Sequence, residues 1–188
     1  IDVVAAREKG IVITNTPGVL TDTVAEFAVA LILTVAKRVA EGDRFTRAGN
    51  FGGWEAELLL GADLKVKTLG ILGAGRIGRG VATRMQKGFG MEVVYYDMQP
   101  VPEFEAETSG VYMDSVASVL AAADVVSVHV PLTDTTKHLI NEDSLALMKP
   151  TAYLINTSRG PVVDEVALVH ALKNGVIAGA GLDVFEHE

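Results

Sequence analysis

The sequence contains no cysteine. That excludes a disulfide framework and a thiolate zinc site, and it fits a reducing, cytoplasmic setting; no metal ligand set is assigned elsewhere in the chain. Positive charge is also scarce: 16 Lys and Arg stand against 24 Asp and Glu, a net charge of −8. A non-specific nucleic-acid binder needs a basic face to displace counterions. An acidic chain also has no means of docking on an anionic membrane surface. Neither nucleic acid nor membrane is therefore expected as a partner. Long apolar runs are missing too. The best, Val24 to Ala36, is about 13 residues, carries Glu26 and ends at Lys37-Arg38, whereas a bilayer span needs about 20. There is no secretory signal pattern, no internal repeat and no low-complexity segment.

What is present is an ordinary globular composition. With 188 residues and 49% hydrophobic side chains, one domain with attachments can form a full core. The chain opens on Ile1 in what reads as the middle of an element and closes on Glu188 without a final element, the pattern of a piece of something longer.

Two textures follow one another. Residues 1–66 hold a short helical stretch from Ile1 to Lys9, an apolar run Ile11-Val12-Ile13, a turn at Thr16-Pro17-Gly18, and a long helical pattern from Thr21 to about Arg47. Thr21 or Asp22 is placed to cap that helix, with Glu26 in its first turns. From Thr68 onward short apolar runs alternate with helical spacing. The runs are Leu69–Leu72, Val93–Tyr96, Val125–Val130, Ala152–Ile155 and Val176–Leu182. They are continuous rather than alternating, as strands buried on both faces are. Helical stretches at Arg76–Lys87, Ser115–Ala122, Glu142–Met148 and Asp164–Lys173 separate them. Strand–helix–strand repetition predicts a doubly wound α/β domain with a parallel sheet.

The first strand feeds into Gly73-Ala74-Gly75-Arg76-Ile77-Gly78 and then a helix. Alone, a GxGxxG match is weak. Between a strand and a helix it reads as the dinucleotide fingerprint. Gly73 permits the tight turn, Gly75 lets backbone approach a pyrophosphate, and Gly78 lets the helix pack against the sheet. Free N–H groups and the helix dipole favour the anion. An acidic residue is required at the end of the second strand. Asp97 follows Val93–Tyr96, 19 residues beyond Gly78. As a ribose-hydroxyl acceptor it would repel a 2′-phosphate. Met98 follows, not Arg or Lys, so NAD is expected rather than NADP.

Ligands in such sheets sit beyond the carboxyl ends of the strands. There lie His129-Val130-Pro131, Asn156-Thr157-Ser158-Arg159-Gly160 and Asp183-Val184-Phe185-Glu186-His187-Glu188. With Asn15-Thr16-Pro17-Gly18, the glycine turn, His129–Thr133, Asn156–Gly160 and Gly181–Phe185 in this order, the sequence resembles the D-isomer-specific 2-hydroxyacid dehydrogenases. Among them it is most similar to the glyoxylate/hydroxypyruvate reductases, with phosphoglycerate dehydrogenases near by. The matching pieces span nearly the whole chain.

The resemblance implies a Rossmann-type cofactor domain and reversible hydride transfer between a nicotinamide and C2 of a small 2-keto acid. It assigns the catalytic arginine to Arg159, which would grip a substrate carboxylate and stabilise the developing alkoxide. It assigns the glutamate that supports the acid/base histidine to Glu188, with Glu186 as second candidate. The histidine itself falls beyond this sequence. Asp183 would accept from the nicotinamide carboxamide. Arg76 and Ile77 would contribute backbone to the pyrophosphate site, and Val130, Pro131, Thr157 and Ser158 would line the nicotinamide side. His129 is read as shaping the cofactor pocket, and His138 and His170 as packing or surface residues on helical stretches. Residues 1–18 would be a remnant of the substrate domain and 19–188 the cofactor domain without its closing strand. Such a fragment is expected to bind NAD but to turn over little. The region around Trp54, between Arg47 and Leu64, would join a homodimer interface. The alternatives are an NAD-binding transcriptional co-regulator of the same fold, a D-3-phosphoglycerate dehydrogenase, or an adenosylhomocysteine hydrolase-like enzyme.

Overall fold

The computed structural model describes residues 1–187. Six strands form one all-parallel sheet: β1 (Thr68–Leu72), β2 (Glu92–Tyr96), β3 (Val111–Tyr112), β4 (Val125–Val128), β5 (Tyr153–Asn156) and β6 (Gly179–Leu182). Their spatial order is β3-β2-β1-β4-β5-β6. The chain winds outward from β1 to β3, then crosses back to β4 and winds the other way. The expected doubly wound sheet is therefore present, with a topological switch point between β1 and β4.

Buried side chains form two clusters, one on each face of the sheet. On one face α2 (Thr21–Ala36) and α4 (Arg76–Phe89) bring Ala25, Ile32, Val81 and Met85 against Leu69, Ile71 and Tyr95. On the other, α6 (Val116–Ala122), α7 (Glu142–Ala146) and α8 (Glu165–Lys173) cover Val126, Val128 and Leu154. Gly70 lets α6 come close: a Cβ there would lie 2.7 Å from Val119 Cγ1 and 2.8 Å from Ala123 Cβ.

Several elements depart from the expectation. The long helix is two, α2 and α3 (Val39–Arg47), because the Ala36 carbonyl accepts from the Ala62 N–H at 2.8 Å rather than continuing the helical ladder. Arg38 then takes a left-handed conformation at φ 55°, its guanidinium gripped by both oxygens of Glu41 at 2.7 Å. Neither Thr21 nor Asp22 caps α2. The cap position is Leu20, and Asp22 reaches Arg84 of α4 at 2.8 Å instead. The apolar run Ile11–Ile13 is exposed, while the expected short helix is present as α1 (Val3–Glu8). Two elements were not anticipated, α5 (Pro102–Thr108) and the two-residue β3. His138 lies in a turn at φ 49°, not a helix. No described helix is long and apolar enough to cross a membrane.

Candidate cofactor and active site

The strand ends that meet at the switch point are held by backbone contact. Gly73 has φ 96°, a conformation glycine adopts without strain. A Cβ there would lie 2.8 Å from the His129 carbonyl carbon and 3.0 Å from Val130 N. Gly78 packs so closely that a Cβ would overlap the Gly73 carbonyl oxygen. Gly75 differs: a Cβ there would meet nothing within 4 Å. No side chain caps α4, so the N–H groups of its first turn and the positive end of its dipole open into that space. A cleft of about 420 Å³ lies in front, lined by Thr16, Pro17, Gly18, Gly75, Arg76 and His129.

Asp97 ends β2 beside this turn. One carboxylate oxygen accepts the Ala74 N–H at 2.8 Å and the other accepts the Met98 N–H at 2.7 Å. Each oxygen retains acceptor capacity, since an ionised carboxylate offers about four lone-pair sites. Asp97 therefore both anchors the glycine turn and presents acceptors beside it.

Beyond β5, Asn156 organises the next turn. Its amide nitrogen donates to the Arg159 carbonyl at 3.0 Å. Its oxygen accepts from the Ser158 N–H at 3.0 Å and the Ser158 hydroxyl at 2.9 Å. Arg159 is thereby carried to the exposed edge. One of its Nη atoms donates to the Ser158 carbonyl at 2.6 Å, and among the described residues no carboxylate pairs with it. Thr157 is buried, and its hydroxyl has no hydrogen-bond partner among the described residues. A buried, unpaired hydroxyl costs free energy unless something satisfies it. The residues thus fit a dinucleotide on three counts: an open space at Gly75, paired acceptors at Asp97 and an orphaned hydroxyl at Thr157.

Asp183 follows β6 and is exposed; its N–H donates to the Asn156 carbonyl at 3.0 Å. Val130 is half-buried and Pro131 exposed beyond β4. The segment around Phe185 crosses directly over Gly160, where a Cβ would overlap the Phe185 carbonyl. The Glu186 carboxylate lies 3.1 Å from His138 Nε2, and its N–H is accepted by Glu165 at 2.6 Å. Glu186 is thus tied into packing on this side. Glu188, the other glutamate candidate, lies outside the described residues.

His129, expected to shape the cofactor pocket, lines the cleft in front of the glycine turn. His129 Nε2 lies 2.9 Å from the Ser127 hydroxyl, and burial pushes its pKa down to about 4, so the imidazole facing the cleft is neutral. Asn156 was visible only as part of a motif. An Asn at a strand end, two residues before Ser, is a turn-forming pattern that could have exposed its role.

Residues 29–188 match the family model of the D-isomer specific 2-hydroxyacid dehydrogenase NAD binding domain. The chain belongs to this family. It is 54% identical to a glyoxylate reductase of Thermococcus litoralis, over all of this chain and 57% of that protein. It is 53% identical to a glyoxylate reductase of Korarchaeum cryptofilum, over all of this chain and 56% of that one. The chain thus spans little more than half the length of these relatives. A crystal structure of Aquifex aeolicus D-lactate dehydrogenase complexed with NAD and lactic acid superposes with a TM-score of 0.87 at 41% identity, over all of this chain and 55% of that chain. As a member of the family's NAD-binding domain, the chain takes NAD as its cofactor.

Proposed function

We propose that this chain is the cofactor-binding part of an NAD-dependent dehydrogenase that interconverts a small 2-keto acid and its 2-hydroxy acid, with glyoxylate as the first candidate and hydroxypyruvate as the second. The observation that carries the reading is the convergence, at one sheet edge, of an uncapped helix start, the Asp97 carboxylate and the unpaired Thr157 hydroxyl. When bound, the nicotinamide cofactor supplies or takes the hydride. The chain's own residues bind and orient. The turn at Gly73, Gly75, Arg76, Ile77 and Gly78 offers N–H groups to a pyrophosphate. Asp97 takes the ribose hydroxyls. Val130, Pro131, Thr157 and Ser158 line the nicotinamide side, with Asp183 accepting from its carboxamide. Arg159 grips the substrate carboxylate by its planar fork and places positive charge beside the oxygen that becomes an alkoxide. Glu188 is the proposed support of an acid/base histidine.

Residues 1–18 are read as the edge of a substrate domain and 19–188 as the cofactor domain. The exposure of Ile1, Val4, Ile11 and Val12 supports that division. The enzyme is further proposed to be a cytoplasmic homodimer. Trp54 at 85% exposure, with Phe51 and Leu60 exposed near by, is the kind of aromatic-rich patch that an interface buries.

Calorimetric titration with NADH and NADPH tests the reading. NADH should bind more tightly than NADPH, and Asp97→Ala should weaken NADH by at least about tenfold, the worth of a charged hydrogen bond. Equal affinity for the two cofactors in the unaltered chain would overturn the assignment of Asp97.

A further inference from the structure

Behind Asp97 lies a buried network that contact with a cofactor does not explain. Tyr95 is fully buried on β2, two residues before Asp97. Its hydroxyl accepts the Val101 N–H at 2.8 Å and donates to the Glu105 carboxylate at 2.7 Å. Both partners follow Asp97 in the chain: Val101 ends the loop and Glu105 sits in α5. Burial raises the Tyr95 pKa further above neutrality, so the hydroxyl keeps the proton it donates. The ring is wedged between Phe104, with centroids 4.5 Å apart, and Tyr112, 5.5 Å apart edge-on. Tyr112 in turn donates to the Asp97 carbonyl at 3.4 Å.

We propose that Tyr95 is a positioning residue for cofactor selectivity, its hydroxyl tying the loop after Asp97 to α5 so that the Asp97 carboxylate is held facing the ribose position. This rests on the reading of Asp97 as the ribose partner. The loop 97–101 has an exposed outer side at Met98, Gln99 and Pro100. Asp97 is held on the glycine turn and by Tyr112, and Val101 is held at its N–H by Tyr95 and at its carbonyl by the N–H groups of Phe104 and Glu105. Without the Tyr95 hydroxyl the Val101 N–H loses its acceptor, the loop is held less firmly at this end, and the Asp97 carboxylate turns from the ribose position more readily. Acceptance of ribose hydroxyls then weakens, and so does repulsion of a 2′-phosphate. A group that only filled the core would lower stability without changing the ratio of NADH to NADPH affinity.

The test measures dissociation constants for NADH and NADPH on the full chain by fluorescence titration, with melting temperatures alongside. Tyr95→Phe keeps the ring and removes the hydroxyl. It should weaken NADH roughly three- to tenfold, the worth of one hydrogen bond, leave NADPH unchanged or tighter, and so narrow the ratio. Glu105→Ala should narrow it in the same direction. Glu105→Gln, which still accepts from the hydroxyl, should hold the ratio near that of the unaltered chain. Phe104→Leu disturbs the same aromatic packing and should lower the melting temperature with the ratio intact. Should Tyr95→Phe fail to fold, the two Glu105 variants decide alone. A ratio unmoved by Tyr95→Phe, or by Glu105→Ala, while Asp97→Ala changes it, overturns the role of Tyr95. A ratio unmoved by Asp97→Ala instead overturns the reading of Asp97 and the present proposal with it.

Discussion

Gly75 and Gly78 stand three residues apart in one turn, yet an added methyl group should act in opposite ways at the two. At Gly75 the backbone is at φ −69°, ψ −173°, open to any residue. Alanine is a poorer helix N-cap than glycine by roughly 0.5–1 kcal/mol. Against this, Gly→Ala restricts the unfolded chain, stabilising by about 0.4–1 kcal/mol. Gly75→Ala should therefore leave folding stability within about 0.5 kcal/mol of the unaltered chain. Its methyl group, however, enters the space through which an anion must reach the helix N–H groups, and NADH affinity should fall at least about tenfold. At Gly78 the methyl group would overlap the Gly73 carbonyl and press to 3.0 Å from Ile71 Cγ2. Gly73 cannot retreat, because the His129 backbone is already against its other side. Gly78→Ala should cost about 1–3 kcal/mol of overpacking and lose binding because the turn is displaced. Urea unfolding and NADH titration on both variants separate the effects. If Gly75→Ala binds NADH like the unaltered chain, the open space is not the cofactor's approach. If Gly78→Ala is as stable as the unaltered chain, the packing account of that glycine is wrong.

Thr157→Val should be neutral or stabilising by up to about 1 kcal/mol, since it removes a buried hydroxyl with no partner, while NADH affinity drops; a destabilised variant would mean that the hydroxyl is already satisfied. Replacing Asn156 by Ala removes three hydrogen bonds within the Asn156–Arg159 turn and should cost roughly 1–3 kcal/mol, measured by thermal unfolding; no loss would show that the turn holds itself. His129 confers a pH dependence: unfolded, it takes up a proton near its ordinary 6.5, whereas in the fold it resists until about 4. Between those values the unfolded chain holds the extra proton, so its contribution to stability is complete above 6.5 and is lost as pH falls toward 4, by up to about 3 kcal/mol. In His129→Gln the loss between pH 7 and 4.5 in urea unfolding should shrink, and equal losses in both chains would refute the assignment.

The β1–turn–α4–β2–Asp97 unit was legible because everything that defines it is close in sequence. Glycine spacing, strand length and the position of Asp97 are local quantities, and the parallel sheet follows from strand–helix alternation. The break between α2 and α3 was not legible. Helical spacing continues through Lys37 and Arg38, and the contact that ends α2 comes from Ala62, remote in sequence. The strand β3 was hidden because two residues carry no periodicity; Val111 and Tyr112 are strand only because they pair with Val94 and Tyr95. At the site the same division holds. Asp97 and Arg159 could be named from motifs. The orphaned Thr157 hydroxyl, the Ser127–His129 pair and the Tyr95 hydroxyl are defined by partners, or their lack, across the fold.

Asp97 also has a structural part that its motif did not reveal. One oxygen holds the Ala74 N–H of the glycine turn, while in the proposed reading the same carboxylate takes the ribose hydroxyls. A substitution that removes the negative charge can keep the first function only if it keeps an acceptor within reach of Ala74. Asn retains one and Ala does not. The glycine turn is also pressed against the His129 backbone through Gly73 and against α4 through Gly78, so slack at Ala74 is transmitted to both strand ends of the switch point. In that reading the residue proposed to distinguish a ribose hydroxyl from a phosphate would also fix where the pyrophosphate sits. Selectivity and affinity would then be coupled through a single carboxylate rather than divided between separate contacts.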